Sequence, residues 1–154
     1  MTFPYDISVI VPIFNSETFI EPCMECLLGQ TVGFPRMEVL LVNDGSTDGS
    51  EDLCRRFAQQ YENVNLISQE NQGVSAARNA GIRAAQGKYI LFLDADDTIS
   101  ANAVEEITAF FDAHYEEIDL LTYRLYYRNE EGKTYGHTPV SYTHLRAHET
   151  SAHL

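Results

Sequence analysis

Short apolar runs rich in β-branched residues recur at 7–11, 38–42, 64–68, 89–93 and 118–123. Their starts lie roughly 25 to 31 residues apart, the span of a strand plus a crossover helix. Between them the apolar period changes to that of a helix. Residues 16–28 set Phe19, Ile20, Cys23, Met24 and Leu27 on one stripe, with Ser16 placed as N-cap. Residues 48–61 repeat the stripe with Leu53, Phe57 and Tyr61, 74–85 are Ala-rich, and 103–115 carry Val104, Ile107, Phe110 and Phe111. Runs apolar on both faces that alternate with helices predict a parallel sheet covered on each side. The expected fold class is therefore α/β, an open, mainly parallel sheet with helices on both faces. The segments do not resemble one another, so the even spacing is not a repeat.

Polar residues fall where such a sheet would put a ligand. Asn15, the Asn43-Asp44-Gly45-Ser46 turn and the Asp94-Ala95-Asp96-Asp97 loop each follow the C-terminal end of an expected strand. Open parallel sheets bind ligands in that crevice, so these loops converge on one edge.

Charge sharpens the picture. Ten Lys+Arg against 23 Asp+Glu in 154 residues leave a formal charge of −13. That balance excludes nucleic acid as partner, which needs a basic face to displace counterions. From 89 to 123 there is no Lys or Arg beside nine acidic residues. Most belong to a solvated helix face, but Asp94, Asp96 and Asp97 crowd a loop behind a buried strand. Like charges that close raise one another's pKa unless a cation joins them, and a hard divalent ion with carboxylate ligands answers that need.

No apolar run reaches the about 20 residues of a membrane span, and 1–6 lack a basic start leading into one. Three cysteines, Cys23, Cys26 and Cys54, give no disulfide framework, and a cytoplasmic location is expected. Cys23 and Cys26 match C-x-x-C, read here as two small side chains on one helix. Four of five histidines, His137, His144, His148 and His153, lie near the end. Residues 141–154 show neither a helical stripe nor strand alternation and read as a non-native or disordered tail. The domain is expected to occupy 1–140. His144 and His148 have i, i+4 spacing, a minor alternative as zinc ligands.

Four motifs follow the strands in order: VIVPIFN at 9–15, VNDGSTDGS at 42–50, NQGVSAARNAG at 71–81 and LDADD at 93–97. Each is common alone, but the series over about 7–127 resembles the nucleotide-binding half of inverting family 2 glycosyltransferases, which have a GT-A fold. The resemblance implies a nucleotide-diphosphate sugar, with a UDP-sugar favoured, a glycan or lipid-linked acceptor, and Mn²⁺ or Mg²⁺. It places Asp44 on the ring N–H of the base, and a carboxylate suits a uracil imide. Pro12 and Asn15 would line base and ribose, Gly73 would admit backbone close to the nucleotide, and Arg78 would reach the base or the acidic loop. Asp94 and Asp96 form the D-x-D around Ala95. Asp94 would bond the ribose and serve with Asp96 as metal ligand, while Asp97 is read as N-cap of the following helix. A peripheral site at the inner membrane face, through further C-terminal parts, is compatible with this.

Inversion needs a general base for the acceptor hydroxyl. Asp112, Glu116, Glu117 and Asp119 follow the D-x-D too directly to serve, so the expectation is a truncated donor-binding half, transferring sugar poorly or not at all. A non-catalytic nucleotide-binding fragment is the alternative. Asp94-Ala95-Asp96-Asp97-Thr98 also matches the D-x-D-x-T loop of haloacid-dehalogenase-type phosphatases, which need a later Lys and acidic pair. After Thr98 the only Lys is Lys133. A receiver-type signalling domain likewise lacks its Lys after the fifth strand.

Overall fold

The computed structural model describes residues 2–122, 126–137 and 141–143. The chain divides into two compact units, Met1–Thr108 and Ala109–Leu154. The first carries β1 (Tyr5–Ile13), α1 (Glu17–Leu28), a 3₁₀ turn (Phe34–Arg36), β2 (Met37–Asp44), α2 (Ser50–Gln60), β3 (Val64–Gln69), α3 (Val74–Ala84) and β4 (Gly87–Phe92). α4 (Ala103–Ala113) begins at its end.

The four strands form one parallel sheet in the order β3-β2-β1-β4, with Ile10 facing Leu40 on one side and Phe92 on the other. All eight β2 residues are buried, as a central strand covered on both faces requires. Alternation sorts its side chains. Leu40 and Val42 pack with Ile10 against Ala77 of α3, whereas Asn43, one step on, bonds Glu51 of α2. Helices thus lie on opposite faces, as the apolar pattern predicts. β4 is the outer strand, and Ile90 and Phe92 on the α3 side are 39% and 40% exposed.

One local expectation is met in position only, and one is corrected. Ser16 occupies the N-cap position of α1 without a side-chain cap bond, and its hydroxyl donates instead to Phe14 O at 3.0 Å. Asp97 does not cap α4, which starts only at Ala103; the Asp97 N–H closes a turn onto Asp94 O at 3.0 Å. The first turn of α4 is served from the residue just past the C-cap of α1. Gln30, 5% exposed, accepts from the Val104 N–H at 3.1 Å and donates to Ser100 O at 2.8 Å. Cys26 Sγ accepts from the Ile99 N–H at 3.2 Å, so the chain beyond the acidic loop is tied to α1.

The second unit contains β5 (Leu120–Thr122), β6 (Tyr126–Arg128), β7 (Thr134–His137) and β8 (Ser141–Thr143). β5 pairs with β8 and β6 with β7, both antiparallel. The fifth apolar run therefore does not extend the parallel sheet as expected. Its Leu120 is 51% exposed, so apolar composition there does not reflect cover on two faces. Ser141–Thr143 form a strand despite lacking alternation, because backbone pairing does not require it. Residues 144–154, with His144, His148 and His153, lie outside the described residues.

Gly81 of α3 sits against the core: a Cβ there would come within 2.4 Å of Ile10 Cγ2, and Ile10 is 0% exposed. Alanine gains about 1 kcal/mol of helix propensity, whereas overpacking costs about 1–3 kcal/mol. Gly81→Ala is expected to lower the urea midpoint of unfolding despite the better helix former.

Candidate functional site

The site grows from the C-terminal ends of β1, β2 and β4 and the start of α3. Asp44 ends β2 at 3% exposure. Its Oδ1 accepts from Gln69 Nε2 at 2.8 Å and from the Gln72 N–H at 2.9 Å, and its Oδ2 accepts from the Gly73 N–H at 2.9 Å. It does not cap its own turn; it closes the entrance of α3, where Gly73 is the N-cap residue. Burial pushes the Asp44 carboxyl up, but these three donors outweigh it and hold it below its ordinary value of 3.8. A carboxylate offers about four lone-pair sites, so Oδ2 retains capacity for one more donor. Gly73 has φ +94°, and a Cβ there would meet only open space, which leaves room for a ligand beside its backbone.

Asn43, 2% exposed, fixes the turn after β2, accepting from the Ser46 N–H at 3.2 Å through Oδ1. Asn15, after β1, is a non-glycine residue at φ +46°. Its N–H donates to Ser46 Oγ at 3.0 Å and its Oδ1 accepts from the Thr47 N–H at 2.8 Å.

Arg78 projects from α3 to the acidic loop: Nη2 donates to Asp94 Oδ1 at 2.8 Å, and the guanidinium carbon lies 5.9 Å from the Phe92 ring centre. Arg78 Nε is buried with no partner among the described residues. The pair is half-exposed, so its net contribution is only about 0–1 kcal/mol. It orients Asp94 more than it stabilises the fold. Asp96 and Asp97 are exposed as whole residues, Ala95 is buried, and partial desolvation of the Asp97 carboxyl, together with Asp96 and Asp94, pushes it up.

These elements enclose a cleft of about 670 Å³, within the range of small-molecule sites. It is lined by all eight residues to which the resemblance gives nucleotide or metal contacts, Pro12, Asn15, Asp44, Gly73, Arg78, Asp94, Ala95 and Asp96, but not by Asp97. Asp44 and Asp96 thus share one cavity. Phe14, Phe19, Asn71 and Val74 line it too; Phe14 and Asn71 stand inside the motifs, while Phe19 was assigned to the helix stripe, where its 48% exposure could not be foreseen.

Three lining carboxylates face one guanidinium, so an anionic ligand is repelled unless a cation joins it. Among the described residues no group of three or more His, Cys, Asp or Glu could hold a metal ion. The donor set nonetheless fits Mn²⁺ or Mg²⁺, since such ions take one or two carboxylates and complete their shells with phosphate and water. Cys23 and Cys54 are not redox candidates: burial pushes both thiols up to about 12.

A family model described as Glycosyl transferase family 2 matches residues 8–152. The minor teichoic acid biosynthesis protein GgaB of Bacillus subtilis is 42% identical over 137 residues, 88% of this chain but 15% of that protein. Staphylococcus aureus TarS 1–349, solved with UDP-GlcNAc, superposes with TM-score 0.66 at 31% identity, covering 71% of this chain and 32% of that one. The mannosyltransferase PcManGT of Pyrobaculum calidifontis, solved with GDP-Man and Mn²⁺, gives TM-score 0.56 at 30% identity, over 68% and 32% of the two chains. The chain thus spans a third or less of these proteins. The match leaves no ground for the phosphatase or receiver readings.

Asp44→Ala would strand three donors and is expected to destabilise the fold by about 1–3 kcal/mol. The folded carboxyl lies below its unfolded value, so its stabilisation is complete above pH 3.8 and is lost as pH falls through the lower folded value. The stability gap between wild type and Asp44→Asn, followed by urea unfolding, should therefore be constant above that pH and narrow below it.

Proposed function

Because this chain belongs to glycosyl transferase family 2, we propose that its first unit holds the donor of an inverting sugar transfer, a nucleotide-diphosphate sugar with UDP favoured. The observation that carries this reading is the one cleft shared by Asp44, Arg78 and the Asp94-Ala95-Asp96 loop. Asp44 Oδ2 accepts the imide N–H of uracil; a cytosine ring nitrogen, an acceptor itself, finds no donor there. Pro12 and Asn15 form the wall beside base and ribose, and Gly73 lets the backbone approach. Arg78 holds Asp94 so that its second oxygen meets the ribose. Asp96, with Asp94, is the side-chain contribution to a bound Mn²⁺ or Mg²⁺. When bound, that ion supplies neutralisation of the charge gathering on the departing diphosphate.

TarS with UDP-GlcNAc supports a uridine donor and PcManGT with Mn²⁺ supports the ion. A glycan or lipid-linked acceptor is the counterpart of such a donor, and no described residue is assigned as the general base. Among the described residues no helix is long and apolar enough to cross a membrane; peripheral association at the cytoplasmic membrane face is part of the proposal.

Calorimetric titration of UDP, GDP and CDP with and without Mn²⁺ tests it. UDP should bind tightest, and Mn²⁺ should improve its affinity about tenfold or more, a gain of about 1.4 kcal/mol. Asp96→Ala should remove the metal-dependent part, and Asp44→Ala should bring UDP and CDP close together. Equal affinities for the three nucleotides in the wild type would sink the base assignment.

A further inference from the structure

Beyond β1 and β2 the two chains no longer pair as strands, yet residues 15–17 and 46–50 remain laced together. Asn15 exchanges bonds with Ser46 and Thr47. The Ser16 N–H donates to Ser50 Oγ at 2.9 Å. The Glu17 N–H, an orphan donor of the first turn of α1, donates to Asp48 Oδ2 at 3.3 Å, and the Ser50 N–H donates to Asp48 Oδ1 at 3.0 Å. In return the Gly49 N–H donates to Glu17 Oε2 at 3.1 Å. One carboxylate therefore serves the starts of both helices, and a second carboxylate answers from the other side, a capping box split between two helices.

From this we infer that Asp48, seconded by Glu17, is a positioning residue for the nucleotide: it locks the start of α1 to the start of α2 and so holds Asn15 in the cleft wall. The inference rests on the donor-site reading for its ligand. Asn15 lies at φ +46°, a region that Asn enters more readily than other side-chain-bearing residues but that its neighbours must still select. The three cross-links that follow it at Ser16, Glu17 and Gly49 make that selection. Asp48 is suited to the task as an ion. Burial pushes its carboxyl up, but the Ser50 hydroxyl and N–H and the Glu17 N–H outweigh this and keep it below the ordinary carboxylate value. An amide at 48 could satisfy only one of the two N–H donors, since its other arm is itself a donor. The unlatched loop would still bear Asn15, but in a spread of positions, lowering affinity without removing a contact.

A double-mutant cycle with UDP on the 154-residue chain tests this. Asp48→Ala should weaken UDP binding about tenfold where Asn15 is present and less than about twofold in the Asn15→Ala background, with Asp48→Asn intermediate. Amide exchange at Ser16 and Glu17, measured without ligand, should quicken about tenfold or more while exchange in β2 is unchanged. Equal fold-changes in both backgrounds, or unaltered exchange, would overturn the inference. If Asp48→Ala does not fold, Ser50→Ala, which removes the acceptor of the Ser16 N–H, is read by the same two criteria. A wild type that binds no UDP would defeat the donor-site reading, and amide exchange would still decide the latch.

Discussion

The architecture around the cleft turns on one buried carboxylate. Asp44 stands at the last position of the most buried strand and receives the backbone N–H groups of Gln72 and Gly73. A helix start and a strand end are thereby fixed within hydrogen-bonding distance of each other. Everything α3 carries inherits that placement: Ala77 against Ile10, Leu40 and Val42, and, one residue on, Arg78 toward the acidic loop. The same oxygens that organise the scaffold are those available to a ligand. On the proposed donor reading, structural and recognition roles are not separable at Asp44, and changes there read out on both.

Much of this arrangement is legible in the sequence, and the reasons differ by element. β1 and β2 announce themselves because burial on both faces leaves nearly unbroken apolar runs, of which 38–42 inside β2 is the clearest, whereas β3 and β4 are partly exposed and are marked by short apolar runs at regular spacing. α1 is equally clear from Ile20, Cys23, Met24 and Leu27, all buried. Asn15, Asp44 and the Asp94-Ala95-Asp96 loop could be gathered because they follow strand ends, and strand ends of a parallel sheet face the same way. Pro12, Gly73 and Arg78, inside β1 or at and within α3, were reached only through the family resemblance. What escaped is of two kinds. Side-chain partners cannot be read from spacing: nothing near Asp44 marks Gln69 as its companion, and nothing at α4 points to Gln30, over 70 residues earlier, as the group that meets Val104. The run at 118–123 misled because apolar composition was taken for burial. Leu120 is half-exposed, and β5 finds its partner in residues set aside for want of alternation.

The cleft also separates two electrostatic tasks. At the Asp44 end, hydrogen-bond donors from backbone and Gln69 stabilise a buried anion, and no counter-ion is required. At the other end Arg78 pairs with Asp94, and partial desolvation together with Asp96 and Asp94 pushes the Asp97 carboxyl up. One end is satisfied by the fold itself; the other is satisfied only in part and gains most from a cation.

β4 leaves the sheet with an outer margin bearing half-exposed Ile90 and Phe92. Unprotected margins of this kind invite strand-to-strand association between molecules. The chain's formal charge of −13 opposes that association by mutual repulsion. Such repulsion fades at high ionic strength, so association through the sheet's outer strands is favoured in concentrated salt.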